Sequence, residues 1–179
     1  MNLKNFYKNK KILITGHTGF KGSWLTSCLL AFGARVVGFS KNDDKLKNYK
    51  KNCFYKKVKN IYADITNYNQ FEREVKKFNP EIIIHLAAQA LVSDSYKDPY
   101  KTIETNVMGT LNVIEASKKS KNFKSLLIIT SDKCYFNKEI LKGYRENDQL
   151  GGDDPYSASK ASAENIFNAY AKSFFCKQN

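Results

Sequence analysis

The chain has 179 residues, 42% apolar and 13% aromatic with only three prolines, which is material for one hydrophobic core and not for a second full domain. Its 30 basic and 17 acidic residues give a net charge of +13, an excess that raises nucleic acid or another anion as a partner. All the basic residues except Arg35, Arg73 and Arg145 are lysines, scattered with asparagine through every segment rather than gathered in a stripe, and this argues against a nucleic-acid face.

The start, MNLKNFYKNKK, lacks the apolar run of a secretory leader, and the apolar stretch near residues 82–92 carries His85 and Gln89 and is too short to span a bilayer. No membrane partner is expected. Cys28, Cys53, Cys134 and Cys176 form no C-x-x-C pair and have no histidine at zinc spacing, so the expectation is no metal and a reduced, cytoplasmic setting.

Short β-branched runs alternate with longer stretches of helical period along the whole chain. In order they predict a strand over 12–15, a helix over 21–32, strands over 36–39 and 58–62, and a helix over 68–78. A strand over 81–87, a helix over 100–119, a strand over 126–130 and a helix over 155–174 complete the set. Asp154 is placed to cap the last helix, with Pro155 as its first residue. Residues 41–60, with eight lysines and no glycine or proline, predict a solvated loop or a poorly ordered helix. Residues 136–153 form a second irregular stretch, long enough to have a function. The strands are near-continuously apolar, as strands covered on both faces should be. The fold expected is α/β, a Rossmann-like doubly wound parallel sheet with helices on both faces, forming one domain over 1–179.

Straight after the first strand comes Gly16-His-Thr-Gly19-Phe-Lys-Gly22. A glycine-rich strand-to-helix turn lets backbone amides approach a pyrophosphate, and the helix N-terminus favours its charge. A tight turn with no ligand is the alternative. Tyr156 and Lys160, four apart on the last predicted helix, face the same way. That spacing is common in lysine-rich helices, but here it follows a strand ending Thr130-Ser131-Asp132, and a serine at the end of a parallel strand points into the ligand crevice of such sheets. A lysine ammonium beside a phenol stabilises the phenolate, which suits Tyr156 to proton exchange with a hydroxyl.

The glycine spacing and the Ser131, Tyr156, Lys160 set resemble the short-chain dehydrogenase/reductase superfamily. The runs GHTGFKGSWL, HLAAQALV, TSDKCY and GYREND-x-LGG-x-DPYSASK narrow the resemblance to its extended members, the CDP-glucose 4,6-dehydratase family, from about Lys10 to Phe175. The related dTDP-glucose dehydratases carry Asp-Glu where this chain has Asp132-Lys133. The resemblance implies NAD as cofactor, held by Gly16, Thr18, Gly19, Phe20, Gly22, Ser40, Asp64, Ile65, Ala87, Ala88, Gln89, Asn106, Tyr156 and Lys160. For Asn106 an ordinary helix polar residue, and for Asp64 an ordinary turn or cap aspartate, are equal readings.

The resemblance also implies a nucleotide-sugar substrate, CDP-glucose, and dehydration to a 4-keto-6-deoxy sugar. Tyr156 takes the 4-hydroxyl proton, Ser131 hydrogen-bonds the developing carbonyl, and Asp132 protonates the departing 6-hydroxyl. Lys133 either is the base for carbon 5 or only orients the site. A homodimer through the helices bearing Asn106 and Tyr156 is implied as well.

Three features depart from the family pattern. Ser93 and Asp94 stand where an arginine is usual. The segment 41–60 does not resemble the family's proline-containing loop. Apart from the family pattern, the second strand is followed by Ser40 and Lys41 rather than the ribose-binding acid usual in such sheets, leaving Asp43 and Asp44 as candidates and NAD against NADP open. The chain also stops at Asn179, where family members continue into a substrate lobe, so the domain is expected to be incomplete. A non-catalytic NAD-binding fragment, or another sugar-nucleotide dehydratase or epimerase, is the alternative.

Overall fold

The computed structural model describes residues 2–41 and 54–175. Five parallel strands, β1 (Lys11–Thr15), β2 (Arg35–Ser40), β3 (Lys59–Tyr62), β4 (Ile82–His85) and β5 (Ser125–Ile128), form one sheet in the order β3-β2-β1-β4-β5. The doubly wound α/β expectation holds. Because successive strand residues face opposite ways, Leu13, Phe39 and Ile83 build one core layer while Ile12, Ile14, Val36 and Ile84 build the other. Helix α1 (Leu3–Tyr7) and helix α2 (Phe20–Ala31) lie over the second layer, through Tyr7 and Leu29. The first is covered by α3 (Tyr68–Phe78) through Phe71 and Val75, and by Val113 and Ala116 of the central helix.

That central helix is composite. It begins as α4 (Val92–Lys97), restarts at α5 (Pro99–Ile103), passes through one π turn (Glu104–Met108) and ends as α6 (Gly109–Ser117). Asp98 caps the restart by accepting the Lys101 N–H at 2.9 Å, with Pro99 in the first turn. The last helix, α7 (Pro155–Tyr170), continues into a π turn (Ala171–Phe175). Asp154 caps it as expected, accepting the Ser157 N–H at 3.0 Å.

The outer strands differ from expectation. β3 is half-buried and β5 has exposed positions, since one flank of each has no strand beside it among the described residues. β4 stops at His85 rather than residue 87, because the Leu86 and Ala87 amides turn to the Thr15 hydroxyl, each at 3.1 Å. Residues 42–53, and with them most of the lysine-rich stretch, Asp43 and Asp44, lie outside the described residues.

Candidate active site

The strand order reverses between β1 and β4, and connections leave these neighbours toward opposite edges of the sheet. Such a reversal opens a crevice at the strands' carboxyl ends. Here it is a cleft of ≈ 630 Å³. Its wall on one side is the turn 16–22. Gly16 has φ +70, and a Cβ there would come within 2.7 Å of the Ala87 nitrogen, so the backbone ends of β1 and β4 pass too closely for any side chain. A Cβ on Gly22 would strike the Gly16 carbonyl. Gly19, the N-cap of α2, has an ordinary φ of −70, and a Cβ there meets only the Gly16 carbonyl at 3.3 Å. Two glycines thus shape the turn, whereas the third keeps a cleft-lining position bare.

Most of the residues expected around a cofactor line this cleft: Gly16, Thr18, Gly19, Phe20, Gly22, Ser40, Ile65, Ala87, Ala88, Gln89, Tyr156 and Lys160. Sequence reasoning missed Lys41, Lys101, Thr105 and Thr130, which line it too. At the end under β2 and β3, Thr18 donates to Ser40 Oγ at 3.1 Å. Beside them Asp64 pairs with Lys41 at 2.9 Å and Lys101 at 3.5 Å. Burial works against the Asp64 charge, but the Thr66 backbone N–H and Lys41 outweigh it and hold the carboxyl at about 2.

Asn106 is buried in the π turn of the central helix, and its side chain is spent inside the protein. Its oxygen accepts the Gln89 N–H at 2.8 Å, and its amide donates to the Gln89 carbonyl at 3.0 Å and to Ser159 Oγ at 2.9 Å. Ser159 in turn donates to the Tyr156 carbonyl at 2.6 Å. Asn106 therefore ties the cleft loop to the helix that carries Tyr156.

On α7, Tyr156 and Lys160 are both buried, 8% and 6% exposed, although both carry polar tips, and both face the cleft. The Lys160 ammonium lies 6.0 Å from the centre of the Tyr156 ring. Burial lowers the Lys160 pKa to about 8, with Glu164 one turn on opposing the shift. Glu164 is itself fixed by the Thr130 hydroxyl at 2.5 Å. Ser131 caps a short 3-10 turn, Asp132–Cys134, that packs against α7. It donates to Asp132 Oδ1 at 3.0 Å and accepts the Lys133 N–H at 3.2 Å, while Asp132 and Lys133 are exposed. Residues 136–153 fold back so that Tyr135 bridges Leu150, with Gly152 pressed against Ser157 at the start of α7.

The family model described as GDP-mannose 4,6 dehydratase matches residues 13–177, nearly the whole chain. The chain belongs to the GDP-mannose 4,6-dehydratase family. Among curated members and relatives, the CDP-glucose 4,6-dehydratase of Salmonella typhimurium is 42% identical over 177 residues, covering 98% of this chain and 49% of that protein. Among solved structures, the UDP-glucose 4-epimerase of Thermotoga maritima with UDP-glucose has a TM-score of 0.82 and 25% identity, over 91% of this chain and 52% of that one. The Thermus thermophilus UDP-glucose 4-epimerase in complex with NAD gives 0.78 and 28%, over 91% and 51%. The chain spans about half the length of the curated relatives it matches. The resemblance and the Rossmann-like fold read from the sequence agree with this family membership. Among the described residues no helix is long and apolar enough to cross a membrane.

Proposed function

We propose that this chain carries the cofactor site and the proton-transfer residues of a sugar-nucleotide 4,6-dehydratase acting on CDP-glucose, with NAD as cofactor. The observation that carries the reading is the buried Tyr156–Lys160 pair at the cleft into which the bare Gly16–Gly19–Gly22 turn also opens. The residues present fit a dinucleotide: Gly19 presents no side chain at the N-terminus of a 12-residue helix, where backbone N–H groups and the helix dipole suit a pyrophosphate. The 42% identity to a CDP-glucose 4,6-dehydratase supports the substrate class.

Held by the Gly16–Gly22 turn and the cleft walls, NAD would supply a hydride acceptor for carbon 4 and a hydride source for carbon 6. The chain's own work is proton transfer and orientation. Lys160, as a cation beside Tyr156, favours the phenolate, and the phenolate oxygen takes the proton of the sugar 4-hydroxyl. Ser131, freed from Asp132 by rotation about χ1, donates to the carbonyl oxygen that develops. Asp132 gives a proton to the departing 6-hydroxyl, the carbon 5 proton leaves to Lys133 as the free amine or to solvent with Lys133 orienting the site, and a solvent-derived proton comes back to carbon 5 as hydride reaches carbon 6. Ser40, Lys41, Ala63 and Ile65 of the cleft hold the adenosine end, and Ala87 to Gln89 hold the middle. A homodimer and a cytoplasmic setting belong to the same reading. Exposed Tyr100, Ile103 and Met108 on the central helix support the former.

The test is conversion of CDP-glucose, in the presence of NAD, to a product lighter by one water, with solvent deuterium incorporated at carbon 5. Water loss without deuterium, or no product when NAD binding is intact, contradicts the reading.

A further inference from the structure

Resting on the reading of Tyr156 and Lys160 as a proton-transfer pair, we propose that Glu164 is the positioning residue of that pair: buckled to Thr130, its carboxylate holds the strand end bearing Ser131 against α7 and keeps Lys160 in its cationic form.

β5 parts from its neighbour as it reaches the cleft. Among the described residues its last backbone bond to β4 runs from the Ile129 N–H to the His85 carbonyl at 3.0 Å. Thr130 and Ser131 continue past the sheet, and Thr130 lines the cleft. A side-chain bond joins this stretch to α7: the Thr130 hydroxyl donates to Glu164 Oε1 at 2.5 Å, the short distance of a hydroxyl bonded to a charged carboxylate. Each end of the buckle is one step from the chemistry. Thr130 immediately precedes Ser131, and Glu164 stands one helical turn beyond Lys160 and two beyond Tyr156. Sliding α7 along β5 would break this bond, so the bond fixes the spacing between Ser131 and Tyr156.

The same carboxylate bears on a charge. Lys160 is buried, and burial lowers its pKa to about 8, whereas Glu164 opposes that fall. The other groups packed around the pair do not supply the opposing charge. His85, from β4, has a neutral ring. Cys134 and Tyr135, from the turn packed on α7, are both raised, by burial first and with Glu164 adding to it, and so are neutral as well. Asp132 and Lys133 of that turn are exposed. Charges of the central helix pair along it, Asp94 with Lys97 at 3.5 Å, Lys101 with Glu104 at 2.6 Å and Glu115 with Lys118 at 2.8 Å. Glu164 is left as the acid that favours the Lys160 cation, and Thr130 keeps it from turning out to solvent.

The experiment compares the wild type with Glu164→Gln, which keeps an acceptor for Thr130 but loses the charge, and with Thr130→Val, which keeps the charge but opens the buckle. Circular dichroism checks each fold. The first readout needs no turnover: it is the pH at which Lys160 gives up its proton, followed by carbon-13 NMR of the lysine side chains, with Lys160→Met to assign the signal. That midpoint should fall by about one pH unit in Glu164→Gln and by less in Thr130→Val. The pH above which kcat/KM on CDP-glucose declines should move down with it. Near neutral pH, kcat should fall about tenfold or more in each variant, while the Kd for NAD stays within about twofold. A packing role alone would lower stability without moving the Lys160 midpoint. A midpoint unmoved in folded Glu164→Gln, or in Thr130→Val should the first variant not fold, overturns the proposal. A wild-type chain that binds NAD but leaves CDP-glucose unchanged overturns the dehydratase reading instead, and the NMR midpoints still decide the role of Glu164.

Discussion

Thr15 and His85 meet at 2.7 Å between the buried ends of β1 and β4, and their neighbours fix which way each proton points. The Thr15 oxygen accepts the Leu86 and Ala87 amides, so its hydroxyl donates to His85 Nδ1. Nε2–H then donates to Thr110 Oγ at 3.2 Å, and the Thr110 hydroxyl passes on to the Asn106 carbonyl at 2.6 Å. A neutral imidazole satisfies the whole chain of contacts, which joins the two strands beneath the cleft to the π turn of the central helix.

Protonating His85 breaks that arrangement. Burial, with the Lys160 cation behind it, lowers its pKa from 6.5 to about 3. The unfolded chain therefore takes up a proton near pH 6.5 that the folded chain refuses until near 3. The His85 contribution is complete above 6.5 and lost as pH falls through that window, with a slope approaching about 1.4 kcal/mol per pH unit. His17 is lowered by burial as well, so its contribution has the same sign and is lost as pH falls below 6.5. Asp64 and Glu81, held at about 2, lose their contributions only at more acid pH. Urea midpoints between pH 7.5 and 5 should fall for the wild type, and fall less steeply for His85→Gln. Equal slopes contradict the assignment.

Lys160 and Tyr156 should act as a unit. Tyr156→Phe and Lys160→Met should each lower kcat on CDP-glucose by about 10²–10⁴-fold. Because Lys160 loses its proton at about 8, wild-type kcat/KM should decline above that pH as the cation beside the phenolate disappears. Either substitution leaving kcat intact, or a rate flat through this region, removes the pair from the chemistry.

The cap at Asp154 places the helix that carries Tyr156 and Lys160. Asp154 Oδ1 accepts the Ser157 N–H and Oδ2 the Ser157 hydroxyl, at the end of the loop 136–153. Asp154→Ala should cost about 0.5–2 kcal/mol of unfolding free energy, and Asp154→Asn should recover most of it. A thermal or urea transition unmoved by the alanine contradicts the cap.

The sheet was legible in the sequence because its signals are local: β-branched runs such as Ile82–Ile84, the glycine turn, and Asp154-Pro155 before a helical period. What escaped is set by contacts distant in sequence. Lys101 reaches Asp64 and Thr15 reaches His85 only once strands and helices are stacked. The π turn around Asn106 interrupts the 3.6-residue period without any glycine or proline to announce it, and the short helix Val92–Lys97 before Asp98 has only six residues in which to show a period. The Asn106 side chain illustrates the limit: sequence position suggests a cofactor contact, whereas the amide is committed to Gln89 and Ser159.

The most direct measurement is titration of NAD into the wild-type chain and into Gly19→Val. Gly19 lines the cleft with an ordinary backbone angle, and a Cβ there meets the Gly16 carbonyl at 3.3 Å, so the substitution fills the space meant for a pyrophosphate with little strain on the turn. The account predicts saturable binding at one site per wild-type chain, weakened by about tenfold or more in Gly19→Val with circular dichroism unchanged. No binding by the wild type, or equal affinity in the variant, would contradict it.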